Sequence, residues 1–215
     1  MRSMLVIGLG RFGAQLARSL TELGNEVLVL DNDEEKVNEI SDSVEQARIG
    51  DGTDEQVLKA LGVEDFDCCF VCMAQDFPAS MEVTAGLKEL GAKKIVAKTD
   101  SARHGNLLLK IGADEIIYPE RDMAKRAAVR YTAGNALEYF ELTPEYSIFE
   151  IVTPAAWVGR TIIELNIRSK YNVNVIAVKD GKRLTPMTSG DFVFRMGQTV
   201  ILAGDKKTIS KLAGK

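Results

Sequence analysis

Short apolar runs alternate with periodically apolar segments through the first half of the chain. Continuous apolar runs of this length are typical of strands, whereas apolar residues at every third or fourth position are typical of amphipathic helices. Residues 12–23 show the helical spacing clearly, and Gly24 with Asn25 follows as a stop signal. The predicted strands are MLVIGL, EVLVLD, EQARIG, DCCFVCMA, KKIVAKT and EIIYP.

The order of these elements predicts the fold class of this half. The strands are apolar throughout, as expected when helices cover both faces of a parallel sheet, and the spacings suit right-handed crossovers. We therefore expect a Rossmann-like, doubly wound parallel α/β sheet. Between and after the strands we predict helices at 12–23, EEKVNEIS, TDEQVLKAL, 79–90, 102–111 and 121–131. In the third of them, Thr53 is the expected N-cap and Gln56 completes a capping box.

After about Gly134 the pattern changes to strands rich in aromatic and β-branched residues. The expected strands are ALEYFELT, YSIFEIVT, NVNVIAVK, RLTP and QTVILAG, with a tight hairpin at Asp180-Gly181 before RLTP. Residues 159–167 are expected to form one short helix, and TISKLAGK a helix or tail. We predict a nucleotide-binding domain over residues 1–134 and a small C-terminal α+β domain over residues 135–215.

The charge and hydropathy of the 215 residues exclude some classes of protein. A net charge of -4 argues against a general nucleic-acid binder, which is usually basic. No apolar run approaches the roughly 20 residues that span a bilayer. The apolar stretch at the N-terminus is too short for a signal peptide. We therefore expect a cytoplasmic protein.

The three cysteines and the single histidine are weak candidates for chemistry. Cys68, Cys69 and Cys72 all lie in one predicted strand, and the C-x-x-C spacing of the last two allows a zinc half-site or a redox motif. Residues three apart on a strand point to opposite faces, so packing in the core is the favoured interpretation. His104 is interpreted as a surface or capping residue rather than a catalytic one.

The glycine-rich loop VIGLGRFG follows a strand and opens a helix, which is the context of a dinucleotide-binding fingerprint. Gly8 permits the tight turn, Gly10 lets backbone amides approach the phosphates, and Gly13 lets the helix pack on the strand. Asp31 ends the second strand about twenty residues on, where it can accept hydrogen bonds from the ribose hydroxyls and disfavours a 2′-phosphate. The alternative is a glycine turn beside a surface aspartate.

Arg11 bears on which nucleotide the loop holds. A guanidinium among the loop amides suits a ligand with more terminal phosphate charge, such as ATP or ADP, although a solvated loop-tip arginine is equally compatible. Lys98, at the end of the fifth strand, is a second candidate for terminal phosphates. The predicted nucleotide-binding residues are Gly8, Gly10, Arg11, Phe12, Gly13, Asp31, Asn32, Asp51, Gly52, Thr53, Ala74 and Lys98.

Two carboxylates at other strand ends have two interpretations each. Asp51 could accept a hydrogen bond from an adenine amino group, with Gly52 giving room, or could cap the next helix. Glu120 could hold a divalent cation, or could simply lie favourably in the first turn of a helix.

At these residues the chain resembles a known family. IGLGRFG, VLVLDND, GDGT, IGADEIIYPERDMA and the small C-terminal unit look like the RCK (KTN) proteins, and more narrowly like the cytosolic regulatory subunits of Ktr/Trk-type potassium transporters. The arginine inside the glycine loop and the long IGADEIIYPERDMA run are more specific than the glycine pattern alone. The resemblance covers nearly the whole chain.

The resemblance implies a function and a set of partners. The first domain would bind ATP or ADP, or NAD(H) as in some members, and would assemble into dimers and an octameric ring. The ring would dock under a membrane potassium-translocating subunit (KtrB/TrkH-like), at the inner face of the membrane, and gate it. By position, Arg11 and Lys98 would reach the terminal phosphate, Asp31 the ribose and Asp51 the base.

Two further ligands are implied by the resemblance. Glu120 would take part in binding a cation such as Mg²⁺ or Ca²⁺ between subunits. Some Gram-positive relatives bind cyclic di-AMP at the C-terminal dimer interface. The positions implied for it here are Ile163, Arg168, Asn174 and Pro186.

We weigh a regulatory binding module against enzymes of the same fold class. An NAD-dependent oxidoreductase would need an acid or base beside a substrate pocket, and none is recognisable in the sequence. An ATPase with a P-loop would need GxxxxGK[ST], which does not occur. We predict a non-enzymatic subunit that reads a nucleotide as a signal, with an NAD(H)-dependent oxidoreductase or NAD(H) sensor as the alternative.

Overall fold

The chain divides into two compact units, residues 1–121 and 122–215. The structure is a computed structural model that describes residues 1–132, 136–187 and 189–214, with the backbone alone at Ala136. The predicted domain boundary between residues 134 and 135 lies outside the described residues and stays a prediction. Within the described ranges, no helix is long and apolar enough to cross a membrane.

The first unit is built on a parallel sheet of six strands. They are β1 (Ser3–Ile7), β2 (Glu26–Asp31), β3 (Gln46–Ile49), β4 (Cys68–Val71), β5 (Ile95–Lys98) and β6 (Glu115–Ile117). Their order in the sheet is β3-β2-β1-β4-β5-β6, with every pair parallel. This order confirms the predicted Rossmann-like sheet. It also places the topological switch point between β1 and β4, where ligands bind beyond the carboxyl ends of the strands.

Helices cover both faces of this sheet. They are α1 (Arg11–Glu22), α2 (Glu34–Ile40), α3 (Glu55–Leu61), α4 (Phe77–Glu89) and α5 (Ala102–Ile111). A further helix, α6 (Pro119–Thr132), begins in this unit and continues in the second. One apolar core includes residues of α1 and α2, and the core on the other face includes residues of α3, α4 and α5. The continuous apolar strands follow from this arrangement, because each side of a central strand is buried.

The three cysteines, two in β4 and one directly after it, are divided between these two cores. Cys69 packs in one of them, and Cys68 and Cys72 pack in the other. All three are free thiols, and burial raises the pKa of Cys68 to about 11 and of Cys69 and Cys72 to about 12. The prediction of core packing is confirmed, because neighbouring residues on a strand face opposite sides.

The predicted N-cap of α3 is wrong by one residue. Asp54 is the N-cap, and its carboxylate accepts a hydrogen bond from the backbone N–H of Gln56 at 2.8 Å. Thr53 instead donates both its backbone N–H and its hydroxyl to Oδ1 of Asp51. A carboxylate is the better cap here because its negative charge also faces the positive end of the helix dipole.

The second unit is a smaller antiparallel α+β fold, as predicted. Its strands are β7 (Ala136–Glu141), β8 (Tyr146–Val152), β9 (Val173–Asp180), β10 (Arg183–Pro186) and β11 (Thr199–Asp205), in the order β10-β9-β11-β8-β7. The helices are α7 (Ile162–Leu165), α8 (Ile167–Tyr171) and α9 (Lys206–Ala213). Trp157, Phe149 and Phe194 are fully buried in its core.

The single helix predicted at residues 159–167 is wrong, since the chain forms two short helices there. Asn166 adopts a left-handed conformation with φ 45°, which ends α7 and begins α8. Asparagine tolerates this conformation better than most residues, so the break falls at a position suited to it.

Candidate nucleotide-binding site

A cleft of about 820 Å³ lies beyond the carboxyl ends of the parallel strands of the first unit. It collects most of the residues predicted to bind nucleotide, although they come from separate parts of the chain. Those lining it are Gly8, Gly10, Arg11, Phe12, Asp31, Asn32, Asp51, Gly52, Ala74 and Lys98, together with Glu120. Gly13 and Thr53, which were also predicted to bind nucleotide, do not line it.

The glycines of the loop have different physical roles. Gly8 has φ +95°, and a Cβ there would lie 3.1 Å from the backbone of Cys72. A Cβ at Gly13 would lie 1.9 Å from the carbonyl oxygen of Gly8, so only glycine lets α1 pack this closely against the loop. Gly10 faces open space instead and is the N-cap of α1, with no side-chain hydrogen bond to the first turn. The N-terminus of α1 therefore offers backbone donors and a partial positive charge to an anion.

Asp31 holds the glycine loop against the end of β2. Its carboxylate is buried, with Oδ2 accepting from the backbone N–H of Leu9 at 2.5 Å and Oδ1 from that of Asp33 at 2.9 Å. Lys36 lies 3.9 Å away as a partial counter-ion. Each carboxylate oxygen can accept more than one hydrogen bond, so the predicted contact with a ribose stays compatible with this structural role.

Asp51 and Gly52 shape the far side of the cleft. Two hydrogen bonds from Thr53, at 2.9 and 2.8 Å, lower the pKa of the Asp51 carboxyl. A Cβ at Gly52 would lie 2.9 Å from the side chain of Ile7, so the backbone here lies against β1. Asp51 does not cap α3, and its predicted contact with an adenine amino group stays a prediction.

Lys98 and Glu120 form an ion pair at the cleft. Nζ of Lys98 lies 2.7 Å from Oε1 of Glu120, with the lysine side chain 13% exposed and the glutamate side chain 62% exposed. The same ammonium lies 5.8 Å from the ring centroid of Phe12. The hydrogen bond from Lys98 lowers the pKa of Glu120, and the positive charge of Arg11 adds to this effect. The predicted phosphate ligand and the predicted cation ligand are thus bonded to each other.

Glu120 and its neighbours do not make a metal site by themselves. Among the described residues, no group of three or more histidine, cysteine or acidic side chains is placed to hold a metal ion. A cation at Glu120 would need oxygen ligands from a bound phosphate or from another subunit. Its role as a cation ligand stays a prediction.

Sequence reasoning did not assign four charged residues of the cleft, one of which is Asp76, the N-cap of α4. Arg18 of α1 and Lys36 and Glu39 of α2 also line it. Arg18 follows Arg11 by seven residues, which puts both side chains on one face of the helix, so the helical period could have revealed it. Lys36 and Glu39 carry no such signal, because only the packing of α2 brings them to the cleft.

His104 is half-buried and packs against an aromatic ring. Its imidazole stacks on Phe77 with centroids 3.7 Å apart and an interplanar angle of 10°. Its backbone N–H donates to the Ser101 hydroxyl that caps α5. Within the described part of the chain, Nδ1 is buried without a hydrogen-bond partner, so the ring lacks the orienting group that a catalytic histidine needs.

The residues implied for cyclic di-AMP lie on short elements of the second unit. Ile163 is on α7, Arg168 on α8, Asn174 on β9 and Pro186 on β10, and all four side chains are exposed. Their exposure leaves them available to a ligand or a partner.

Comparisons with known proteins agree with this architecture. Residues 4–119 match the family model of the TrkA-N domain, and residues 146–214 match that of the TrkA-C domain. The Ktr system potassium uptake protein C of Bacillus subtilis (strain 168) is 42% identical over 210 residues, which cover 98% of this chain and 95% of that protein. The Ktr system potassium uptake protein A of the same organism is 35% identical over 210 residues, which again cover 98% of this chain and 95% of that protein.

Solved structures share the fold at lower identity. The GsuK channel bound to NAD has a TM-score of 0.67 and 21% identity, and the match covers 100% of this chain and 40% of that one. GsuK bound to ADP has a TM-score of 0.55 and 20% identity, covering 63% of this chain and 36% of that one. With both domain models and both Ktr relatives in agreement, the chain belongs to the TrkA-N/TrkA-C (RCK) family of regulatory, non-enzymatic proteins.

Proposed function

We propose that this protein is a nucleotide-sensing regulatory subunit of a potassium uptake system. It binds ATP or ADP in the cleft of the first unit and thereby controls a membrane potassium-translocating subunit. The observation that carries the nucleotide site is the convergence of the uncapped N-terminus of α1, Arg11 and Lys98 on one cleft. Such a cleft suits a ligand with several phosphate charges, since helix N-termini and cationic side chains both attract anions.

The relatives support the wider role. The two Bacillus subtilis proteins are named as components of the Ktr potassium uptake system, and their similarity extends over nearly the whole chain. We infer a membrane partner of the KtrB kind and a position at the cytoplasmic face of the membrane. A homodimer that assembles into an octameric ring is the arrangement that the family resemblance implies.

The bound nucleotide would act by preferring one conformation of this assembly. A ligand shifts such an equilibrium only by its difference in affinity between the two states. ATP and ADP differ in the terminal phosphate, so a contact made only by that phosphate is where the two would differ. Arg11 and Lys98 are the residues we assign to it.

Other ligands are proposed with narrower support. NAD(H) is the second candidate for the cleft, favoured by the buried Asp31 at the end of β2 and by the NAD named for the GsuK channel. Glu120 is proposed to contact a divalent cation once phosphates are bound. Cyclic di-AMP at the second unit rests on the resemblance at Ile163, Arg168, Asn174 and Pro186 alone.

Calorimetric titration of the full chain with ATP, ADP, AMP, NAD and NADH, with and without Mg²⁺ or Ca²⁺, tests the proposal. Saturable binding of ATP and ADP, with no phosphate release over the same period, is the expected result. Binding of NADH in preference to ATP would favour the redox-sensing alternative. Absence of binding to every nucleotide would contradict both.

A further inference from the structure

The Lys98–Glu120 pair occupies the part of the cleft where an anion is expected. Lys98 projects from the end of β5, and Glu120 lies in the first turn of α6. The Lys98 side chain is only 13% exposed, whereas the Glu120 side chain is 62% exposed. The cation of the pair is therefore largely buried, and the anion is more accessible to solvent.

The pair also lies next to the glycine loop. The Lys98 ammonium is 5.8 Å from the ring centroid of Phe12, the second residue of α1, and Arg11 acts electrostatically on Glu120. Glu120 therefore lies within the positive field made by Lys98, Arg11 and the N-terminus of α1. A carboxylate and a phosphate use the same kind of oxygen acceptor toward a lysine, so the two compete for it.

We infer that Glu120 is an internal competitor of the nucleotide's terminal phosphate for Lys98, and so determines how strongly the cleft discriminates between nucleotides of different phosphate number. This inference rests on the proposed nucleotide-binding function. A nucleotide whose phosphates reach Lys98 must displace the carboxylate, whereas a shorter nucleotide leaves the pair intact. In the free chain Glu120 is the counter-ion of a lysine and not part of a metal cluster among the described residues.

The competition predicts that removing the negative charge of Glu120 increases the affinity for ATP. Glu120→Gln keeps the size of the side chain and its carbonyl acceptor but removes the negative charge that faces the phosphate. The full chain is titrated with ATP, ADP and AMP in the presence of EDTA. EDTA removes any divalent cation that would bridge a carboxylate and a phosphate. We expect ATP to bind about three- to tenfold more tightly to the variant, because partly exposed ion pairs have modest strength. AMP should bind within about twofold of wild type by the same arithmetic.

Glu115→Gln is the matched control. Glu115 forms an ion pair of nearly the same length, 2.8 Å, with Lys94, and its side chain is 53% exposed, but it does not line the cleft. Glu115→Gln changes the net charge of the protein by the same amount as Glu120→Gln. Unchanged affinity of this variant would show that the gain at Glu120 does not come from net charge. Thermal unfolding of both variants checks that the fold is retained.

The outcomes separate the inference from the function on which it rests. If the wild type binds ATP and Glu120→Gln binds it equally or more weakly in EDTA, the inference is overturned and the nucleotide site stands. An equal gain for AMP, or the same gain in Glu115→Gln, also overturns it, because the effect would not depend on the terminal phosphate. If neither wild type nor variant binds any adenine nucleotide, the proposed function fails and the inference fails with it.

Discussion

Individual residues in the cleft have a structural role in addition to the ligand-binding role predicted for them. Asp31 was expected to face a ribose, and in the structure its two oxygens hold the backbone of Leu9 and Asp33. Glu120 was expected to face a cation, and it neutralises Lys98. At this scale, a buried polar group such as the Asp31 carboxylate satisfies its hydrogen bonds within the protein, because a buried unpaired group is costly.

Replacing Arg11 with alanine should weaken ATP more than ADP. The lost contact is to the terminal phosphate, and a hydrogen bond to a charged group is worth about 1–3 kcal/mol. Parallel titrations with both nucleotides measure the difference. Arg18→Ala is the control, since Arg18 lies about 10 Å further along α1 and should affect both nucleotides alike. An equal loss for ATP and ADP in Arg11→Ala would refute the assignment.

Gly13→Ala should destabilise the first unit, while Gly10→Ala should not. The added methyl at Gly13 would meet the Gly8 carbonyl oxygen at 1.9 Å, and the overpacking should cost about 1–3 kcal/mol or more of unfolding free energy. At Gly10 the methyl meets nothing within 4 Å. Urea unfolding of the two variants provides the comparison. Similar stabilities would mean that the close packing of α1 on the loop is not required.

At the scale of elements, strand alternation determines which core a side chain enters, and the capping residue determines where a helix begins. β4 and the residue after it place Cys69 in one core and Cys68 and Cys72 in the other. A shared metal or a disulfide between Cys69 and Cys72 is therefore geometrically unsuitable. The start of α3 depends on a carboxylate one residue after the predicted cap. Both features follow from local geometry.

The three cysteines should resist alkylation in the native protein. Burial raises the pKa of each thiol to about 11 or 12, and the thiolate is the reactive form. Incubation with iodoacetamide at pH 8 followed by mass spectrometry should show unmodified cysteines, and the same treatment in guanidinium should label all three. Rapid native labelling would contradict the burial of β4.

Asp54→Ala should destabilise the protein, and Thr53→Ala should do so less. The first change removes the N-cap hydrogen bond to Gln56, which is worth about 1 kcal/mol in typical helices. The second removes a hydroxyl that bonds to Asp51, outside the helix. Thermal or urea unfolding distinguishes them. A larger loss for Thr53→Ala would restore the original assignment of the cap.

At the scale of the whole molecule, the ligand site belongs to one unit. Every residue that lines the cleft lies between Ile7 and Glu120, and the two cores beneath it are made within the same unit. The second unit has its own core around Trp157 and Phe194. The proposed nucleotide site is therefore contained within the first unit.

A fragment of residues 1–134 should bind ATP with about the affinity of the full chain, within about threefold. It contains the whole cleft and both cores of the first unit. Calorimetry on the fragment, with circular dichroism to check its folding, is the measurement. A folded fragment with much weaker binding would show that the site needs the second unit or the assembly that it supports.

Much of the fold was predictable because its signals are local. The apolar strands, the helical periods and the hairpin at Asp180-Gly181 each lie within a few neighbouring residues, and the elements appear where expected. The predictions that are wrong concern positions where the sequence pattern is compatible with two local structures. Thr53 and Asp54 both qualify as caps, and the left-handed turn at Asn166 divides a segment that the pattern reads as one helix.

Spacing along the chain is enough to specify the alternation of strands and helices, the glycine loop, and the acidic residue at the end of β2. Which side chains meet in the cleft depends instead on the folded arrangement. Arg18 and Lys36 reach the cleft, and Lys98 bonds to Glu120, because the parallel order of the sheet brings distant strand ends and helix starts together. Such pairings depend on distances in space, which sequence spacing does not specify.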